Sequence, residues 1–461
     1  MPDSEEKPMP NERERDTVTD TGSAKPTEGR RSVLGKLGIL AAGATAALTN
    51  PQALFSARPE NILAKKAEAA PLADSTEDFK ERVRNLLPEK FLGDFRELMR
   101  GTAQGCVKAG NWVVPSDNYA NMSFARDGFW VQAALRDGNL LRNSIEMFKR
   151  DQNNNSDGHI ATAIYKDGGR PENRDRDEES TMMYVFHQFI NTRLGGELSD
   201  SDKDSLQKAH TFINSHVRDG GYVTRGETRF QSELGTYHYW ADTFRPAGKS
   251  EASPEVIAYN QGLYCVTLRC LESVGVLPAN SQERTLAEDK YRNMVNPEDG
   301  TSLPQREGTT IVDVSSLVGE ALSFYWFNQP ILSDERIQAT FDQLVTHSAS
   351  RYRDGRFLGF KVIADFYGDY RPSNEFIDPA NIPGNYQNGG SWLLYDALAL
   401  YVASRHGNKQ ADQLFAQRLQ SEVRNSWSSH EYVSTNRNTL GESEPRRDGY
   451  GWNSFIINLL S

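Results

Sequence analysis

The spacing of amphipathic helices is the feature of this sequence that most restricts its fold. Apolar residues recur at i, i+3 and i+4 in about twelve stretches, the pattern of helices that bury one face. These stretches are residues 78–100, 126–136, 138–150, 179–193, 201–217, 257–275, 281–295, 315–326, 334–349, 391–405, 409–424 and 450–460. Connections after alternate helices are short, whereas those between run to about twenty to forty residues.

This alternation predicts six helical hairpins that close into a double ring, an all-α (α/α)6 toroid. One helix of each pair lines the inside, and every long loop emerges on the same rim, where functional sites are usually built. Segments 221–224 and 356–360 predict small β ribbons within those loops. The alternative is an open superhelix of helix pairs, but such solenoids repeat at a fixed period, and none is seen here.

Residues 1–70 differ in composition from the rest and predict a leader that is separate from the barrel domain at 71–461. Arg30 and Arg31 precede a weakly apolar run at 37–48, and this pattern resembles a twin-arginine export signal. The run is too short to span a bilayer. We therefore expect a secreted, periplasmic or cell-surface protein. The alternative is a polar tail followed by a short helix.

Charge and composition exclude other classes of protein. The chain has 63 acidic and 52 basic residues, a net charge of −11, and such a surface argues against nucleic acid as a partner. No apolar run of about eighteen residues follows the leader, so no integral membrane segment is expected. The three cysteines, Cys106, Cys265 and Cys270, include no C-x-x-C pair and predict small buried apolar residues.

A carboxyl group among aromatic residues distinguishes the third long loop. Asp242 follows Tyr239 and Trp240 and precedes Phe244. Aromatic neighbours exclude water, and desolvation favours the protonated carboxyl group that a general acid requires. Asp242 is therefore a candidate proton donor. The alternative is a structural carboxylate paired with Arg245.

A second isolated carboxylate occurs in the last long loop, where Glu431 lies among polar residues. Such neighbours should keep Glu431 ionised and able to activate a water molecule, although capping or a salt bridge with Arg437 is the alternative. Asp242 and Glu431 precede the sixth and twelfth helices, on opposite sides of a six-jointed ring. An acid and a base placed in this way could act on opposite faces of one bound ligand.

Other rim segments offer groups that could bind a sugar. Arg126 and Asp127 stand at a helix entrance, although Asp127 could equally be a helix-start residue favoured by the dipole. Residues 177–179 place three carboxylates at another helix start, more than capping requires. Residues 386–392 combine amide groups with aromatic faces, which hold sugar hydroxyls and C–H surfaces. The joint at 312–316 predicts only ordinary N-capping.

The order of these motifs resembles that of six-hairpin glycosidases, most closely the glycoside hydrolase family 63 group and more distantly debranching α-1,6-glucosidases, trehalases and glucoamylases. The motifs are Phe124-Ala125-Arg126-Asp127-Gly128-Phe129-Trp130, Trp240-Ala241-Asp242, the helix from Glu255 to Leu271, Tyr386-Gln387-Asn388-Gly389-Gly390-Ser391-Trp392, His430-Glu431-Tyr432 and Gly449-Tyr450-Gly451-Trp452. They span nearly the whole region after the leader. Ala241 and Thr243 depart from the Trp-Met-Asp-Ala pattern of debranching enzymes, and the extra domains of many family 63 enzymes are absent.

The resemblance implies an inverting hydrolase, similar to exo-acting α-glucosidases, with Asp242 as general acid and Glu431 as general base. Such a pair would flank the sugar at a separation of about 6.5–9.5 Å. Together with the export signal, this predicts an exported enzyme. The chemistry requires no metal or redox cofactor. The candidate sugar-binding residues are Arg126, Asp127, Trp130, Glu179, Tyr239, Trp240, Glu255, Asn388, Trp392, Tyr432 and Trp452. The rival functions are a polysaccharide lyase or phosphorylase on the same barrel, and a non-catalytic carbohydrate-binding protein.

Overall fold

Helices dominate the part of the chain that the computed structural model describes. That part comprises residues 76–108, 112–116, 119, 121–154, 156–169, 178–224, 226–227, 236–237, 239–245, 255–424, 427–443 and 449–461. The predicted leader and its paired arginines lie outside these residues. The helices are α1 Thr76–Leu86, α2 Glu89–Gly105, α3 Ala125–Leu135, α4 Gly138–Gln152, α5 Glu178–Arg193, α6 Asp200–Asn214, α7 Ala258–Ser273, α8 Gln282–Asn293, α9 Val318–Phe327, α10 Asp334–Gln343, α11 Leu393–Arg405, α12 Lys409–Glu422 and α13 Ile457–Leu460.

Five of these helices, together with the last helical segment of the chain, form a closed inner ring. Helix α3 packs against α5, α5 against α7, α7 against α9, and α9 against α11. The ring closes because α11 contacts the 3-10 helix Gly451–Ile456, which leads into α13 and also packs against α3. Outer helices α4, α6, α8 and α12 each pack against a neighbouring inner helix. The predicted (α/α)6 toroid is therefore confirmed, and an open superhelix is excluded.

Burial distinguishes the inner helices from the outer ones. Every residue of α11 is buried, as is every residue of α7 from Ala258 to Leu271, because each of these helices is surrounded by protein. Outer helix α4 instead buries one face, which includes Leu141, Ile145 and Phe148. A capping box between Ser199 and Asp202 fixes the start of outer helix α6. The long loops all lead into the buried, inner helices.

The predicted helix at 78–100 is wrong as a single element. The chain forms α1 and α2 instead, and they are separated at Pro88, which lacks an N–H group and disfavours helical geometry in the residue before it. The periodicity of apolar residues continues through the break: Phe79 and Val83 of α1 and Leu92 of α2 are all buried. Both short helices therefore bury one face against the same core.

Some helix ends also differ from the prediction in their type of hydrogen bonding. The stretch predicted at 315–326 begins as the 3-10 helix Val314–Leu317, and the one predicted at 334–349 ends as the π-helix Leu344–Ser348. Hydrophobic spacing does not distinguish these helix types, because their side chains follow similar periods over one turn.

Short β ribbons occupy the rim loops. They are β1 Val107–Lys108 with β2 Trp112–Val113, β3 Met122–Phe124 with β4 Ala163–Tyr165, β5 Val217–Arg218 with β6 Gly221–Thr224 and β9 Glu255–Val256, β7 Gly226–Glu227 with β8 Thr236–Tyr237, β10 Val312–Asp313 with β13 Ile363–Ala364, and β11 Ala349–Arg351 with β12 Phe357–Phe360. All these pairings are antiparallel. The ribbons predicted near 221–224 and 356–360 are confirmed.

The three cysteines all lie within the described residues. Cys106, Cys265 and Cys270 are buried, as predicted, and are not joined in disulfides. Within the described ranges, no helix combines the length and the apolar character that crossing a bilayer requires.

Candidate active site

A pocket lies where four of the long loops enter the inner ring. Its lining residues come from the segments that precede or begin α3, α7, α11 and the last helix. They are Pro115, Tyr119, Phe124, Arg126, Asp127, Trp240, Asp242, Tyr386, Trp392, Glu431, Tyr450 and Trp452. The structure thus brings Asp242 and Glu431 into one pocket, together with five of the candidate sugar-binding residues.

Arg126 and Asp127 occupy the first turn of α3. Arg126 Nη1 lies 3.2 Å from Oε2 of Glu179, and its Nε lies 3.6 Å from Oδ2 of Asp127. The guanidinium also lies over the Trp452 ring, 5.6 Å from its centroid. Burial disfavours the charged form, but the carboxylates of Glu179 and Asp127 outweigh it and raise the pKa of Arg126 well above its usual value. Arg126 therefore stays charged and can donate hydrogen bonds into the pocket.

Tyr450 connects this cluster with Glu431. Its hydroxyl donates to Oδ1 of Asp127 at 3.0 Å. Burial, and then the negative charges of Asp127 and Glu431, raise the pKa of Tyr450 well above its usual value, so the phenol keeps its proton. Glu431 itself is only 4% exposed. The wall of the pocket near Glu431 therefore combines a neutral phenol with two carboxylates.

Aromatic side chains form much of the remaining wall. Trp392 is central: its ring lies 5.1 Å from that of Trp240, 5.2 Å from that of Trp452 and 5.4 Å from that of Tyr386, centroid to centroid. Tyr432 stacks on Trp392 with an interplanar angle of 25° and so supports the wall from behind. The three indoles are at most 2% exposed, so rings packed at these distances form a rigid wall for the pocket.

The loop that carries Glu431 is fixed on both sides of this residue. Before Glu431, the backbone carbonyl of His430 accepts from Asn453 Nδ2 at 2.6 Å, and its N–H donates to Glu422 at 2.8 Å. After Glu431, Val433 and Ser391 exchange two backbone hydrogen bonds of 2.9 Å each. The position of the Glu431 backbone is therefore set by α12, by the 3-10 helix Gly451–Ile456 and by the segment before α11.

The loop that carries Asp242 is half-buried and is supported by the segment before α11. Oδ1 of Asp242 accepts a hydrogen bond of 3.2 Å from Nε2 of Gln387. Downstream, Thr243 O accepts from Ile377 N at 2.9 Å, and Phe244 forms an antiparallel bridge with Phe376. Sequence reasoning did not assign Gln387 a role, although it lies within the motif at 386–392.

Several candidate binding residues lie outside the pocket lining. Trp130 packs edge-on against Phe455 in the core, and the buried hydroxyl of Tyr239 accepts from Gln305. Glu255 forms an ion pair of 2.5 Å with Arg306. Asn388 donates from its side chain to two backbone carbonyls and so holds its own loop together. Glu179 supports Arg126 and accepts from Tyr259 at 2.5 Å.

Asp313 lies directly behind the pocket, although its sequence context predicted only a helix cap. It does cap the 3-10 helix, through a 2.8 Å hydrogen bond from Ser315 N to its Oδ1. Its second oxygen accepts from the indole N–H of Trp240 at 3.1 Å. Burial raises the pKa of Asp313 from 3.8 to about 7, despite the hydrogen bonds from Ser315 and Trp240. The fourth long loop therefore contributes to the site by holding Trp240.

The described residues contain no group of three or more His, Cys, Asp or Glu side chains that could hold a metal ion. The pocket instead offers the carboxyl groups of Asp127, Asp242 and Glu431, a charged guanidinium and a wall of aromatic rings. These groups suit acid–base chemistry on a polyhydroxylated ligand.

Comparison with known proteins identifies the fold. No protein-family model and no curated protein sequence matches the chain. A structure described as a wild-type glycosidase superposes with a TM-score of 0.54 at 12% identity, covering 81% of this chain and 98% of that one. The glycoside hydrolase family 63 mannosylglycerate hydrolase from Thermus thermophilus, solved in complex with glucose, gives a TM-score of 0.52 at 11% identity, with 78% and 99% covered.

An uncharacterized conserved protein from the same organism gives a TM-score of 0.52 at 11% identity, covering 79% of this chain and 99% of that one. The family 63 neighbours are (α/α)6 toroids. At such identities the likeness establishes the fold, which is the fold of six-hairpin glycosidases close to family 63.

Proposed function

We propose that this protein is an inverting glycoside hydrolase in which Asp242 is the general acid and Glu431 is the general base. One observation carries the proposal: Asp242 and Glu431 line the same pocket although they precede α7 and the last helix, the third and sixth members of the inner ring. Carboxyl groups that reach one pocket from opposite sides of a ring can flank a bound sugar.

The chemistry divides the work between the two groups. The protonated carboxyl group donates to the leaving glycosidic oxygen, while the carboxylate removes a proton from a water molecule on the opposite face of the sugar. Glu431 is held on both sides by backbone contacts of its neighbours, as a base that must aim at one water molecule requires. Asp242 is half-buried, so its proton remains accessible to a leaving group.

The remaining lining supports a carbohydrate as the substrate. Trp240, Trp392 and Trp452 line the pocket, where aromatic rings suit the C–H groups of a sugar, and Arg126 offers charged donors to hydroxyl oxygens. Residues from four long loops converge on one pocket, which favours removal of a terminal unit over cleavage within a long chain. We therefore propose an exo-acting enzyme, similar to α-glucosidases, with no need for a metal or redox cofactor.

Substrate-dependent loss of activity tests the division of labour. Asp242→Asn and Glu431→Gln should each lower kcat/KM on α-linked disaccharides by about 10²–10⁴-fold. On aryl α-glucosides with an activated leaving group, Asp242→Asn should recover much of its activity because that group departs without protonation. Glu431→Gln should stay impaired on both substrates, since water must still be deprotonated.

Matched variants and product analysis complete this test. Asp219→Asn and Glu335→Gln alter exposed carboxylates and should retain full activity. NMR of the first-formed sugar should show the β anomer from an α-linked substrate. Release of the α anomer would refute inversion. Unsaturated products that absorb ultraviolet light would identify a lyase, and dependence on inorganic phosphate would identify a phosphorylase.

We also propose that the protein is exported through its paired arginines. Changing both Arg30 and Arg31 to Lys should retain the protein in the cytoplasm, because the twin-arginine pathway reads that pair. The same double change at Arg13 and Arg15, which lie elsewhere in the leader, is the control and should leave export intact. Cell fractionation measures both outcomes, and normal export of the Arg30/Arg31 variant would contradict the proposal.

A further inference from the structure

The side chain of Gln387 makes its hydrogen bonds to the loop that carries Asp242. Gln387 is 1% exposed. Its Nε2 donates to Oδ1 of Asp242 at 3.2 Å and to the carbonyl of Trp240 at 3.3 Å. Its Oε1 accepts from the backbone N–H of Thr243 at 3.2 Å and from the hydroxyl of Thr243. Both ends of one amide group therefore bind the residues around the proposed acid.

These partners determine which end of the amide faces Asp242. A backbone N–H can only donate, so the group next to Thr243 N is the amide oxygen. A backbone carbonyl can only accept, so the group next to Trp240 O is the amide nitrogen. The two contacts fix the same orientation independently of each other. Gln387 therefore presents an N–H donor to Asp242.

A chain of hydrogen bonds reinforces this orientation. Asn381 Nδ2 donates to Oγ1 of Thr243 at 2.9 Å, so the single hydroxyl proton of Thr243 is left to point at Gln387 Oε1. The donors follow one another in a single direction, from Asn381 through Thr243 and Gln387 to Asp242. Each group in this chain is held in its donor or acceptor role by the group before it.

We propose that Gln387 is a positioning residue that reserves Oδ1 of Asp242 as an acceptor and confines the acidic proton to Oδ2. This inference rests on the proposed role of Asp242 as general acid. A protonated carboxyl group has one O–H, and placing it on Oδ1 would turn a donor towards the N–H of Gln387. The proton is therefore held on the other oxygen, from which it passes to the leaving oxygen of the substrate.

After the transfer, Asp242 is a carboxylate and Oδ1 still accepts from Gln387. The hydrogen bond thus persists through the step, and the carboxyl group does not need to rotate between turnovers. A proton that is always presented from one oxygen gives general acid catalysis its fixed geometry.

The test measures how much each variant depends on protonation of the leaving group. Gln387→Met keeps the length of the side chain but removes the donor and the acceptor. We expect kcat/KM on unactivated α-linked disaccharides to fall by about tenfold or more, within the range of general acid catalysis. On an activated aryl α-glucoside the loss should be less than about threefold, since that leaving group needs little protonation.

The activity of the double variant distinguishes a role through Asp242 from a merely structural role of Gln387. If Gln387 acts through Asp242, adding Gln387→Met to Asp242→Asn should cause no further loss on the disaccharide. Thr243→Val removes only the hydroxyl link and should shift selectivity in the same direction by a smaller factor. This variant keeps the test informative if Gln387→Met does not fold.

Gln261→Met is the matched control. Gln261 is also buried, and its amide bonds to the backbone of Tyr222, Gly220 and Ala287, away from the pocket lining. Gln261→Met can lower the melting temperature but should leave the ratio of activities on the two substrates unchanged.

The outcomes separate this inference from the proposed function. Equal losses on both substrates, no loss, or losses that multiply with those of Asp242→Asn would overturn the role of Gln387 and leave Asp242 as the acid. If Asp242→Asn itself retains normal activity on the disaccharide, the assignment of the acid fails, and the role of Gln387 fails with it.

Discussion

Replacing Arg418 with Met should destabilise the protein by about 3–5 kcal/mol at pH 7.5. Arg418 lies in α12, and 1% of its side chain is exposed. Its Nε donates to Asp396 at 2.7 Å, and its Nη1 donates to Glu422 at 2.9 Å. Met fills a similar volume without charge, so two buried carboxylates would lose their shared counter-ion.

The pKa of Glu422 gives an independent measure of this effect. Burial opposes ionisation, but Arg418 and His430 outweigh it and lower the pKa of Glu422 from 4.5 to about 2. This difference corresponds to about 3 kcal/mol of stability, which is fully present above pH 4.5 and is lost as the pH falls towards 2. The magnitude agrees with the cost expected for breaking a buried ion pair.

The loss of stability in the variant should itself depend on pH. Without Arg418, hydrogen bonds from His430 to Glu422 and from Ser391 and Phe360 to Asp396 remain, but the positive charge that opposes burial is gone, so the pKa values of both carboxyl groups should rise relative to the natural protein. The folded variant then binds protons more tightly than the folded natural protein, so the stability that it lacks grows as the pH rises. The deficit relative to the natural protein should therefore be larger at pH 7.5 than at pH 5.

Urea unfolding followed by tryptophan fluorescence at these two pH values measures the deficit. Arg356→Met is the matched control: Arg356 makes two hydrogen bonds to Asp354, but its side chain is 35% exposed. Its loss should cost less than about 1 kcal/mol. A deficit for Arg418→Met no larger than that of the control, or a deficit that shrinks as the pH rises, would refute the reasoning.

Two further predictions concern the contact between inner helices and the support of the pocket. In Gly319→Ala the new Cβ would lie 2.3 Å from the backbone of Gly262, so α7 and α9 must separate at a cost of about 1–3 kcal/mol. In Gly93→Ala nothing lies within 4 Å of the new Cβ, so this change should stabilise α2. Equal melting temperatures for these two variants would contradict this. Because the pKa of Asp313 is raised to about 7, its stabilising contribution is full below pH 4 and is lost as the pH rises to 7. Asp313→Asn, which keeps an acceptor for Trp240, should therefore flatten the fall in melting temperature between pH 4 and pH 7, and an unchanged slope would refute the assignment.

Helix spacing in the sequence was sufficient to predict the fold. The structure keeps the alternation of short and long connections, because the chain crosses the rim from each outer helix to the next inner helix. The break at Pro88 was missed, although proline is itself a signal, because buried Phe79 and Leu92 continue one apolar pattern across it. Periodicity reports which residues face the core and does not report whether the backbone between them is continuous.

Support for the pocket was harder to predict than its lining. Asp313 was interpreted as a helix cap, and it is one, but capping occupies only one of its oxygens while the other holds Trp240. A carboxylate has several acceptor sites, so a sufficient local explanation does not exclude a second, distant partner. Gln387 was overlooked for the same reason, since its partners lie about 145 positions away along the chain.

The charges beneath Glu431 show most clearly why such support is invisible in sequence. Arg418 and Glu422 are four residues apart on a helix, which is the spacing of an ordinary surface ion pair. What buries them is α11, which contributes Asp396, and the final loop, where His430 donates to Glu422. Glu431 follows His430 directly, so this ion cluster fixes the backbone on the N-terminal side of the proposed base. Tertiary packing decides whether such an ion pair stays solvated at the surface or supports a site. The spacing of the two residues along the chain does not reveal that packing.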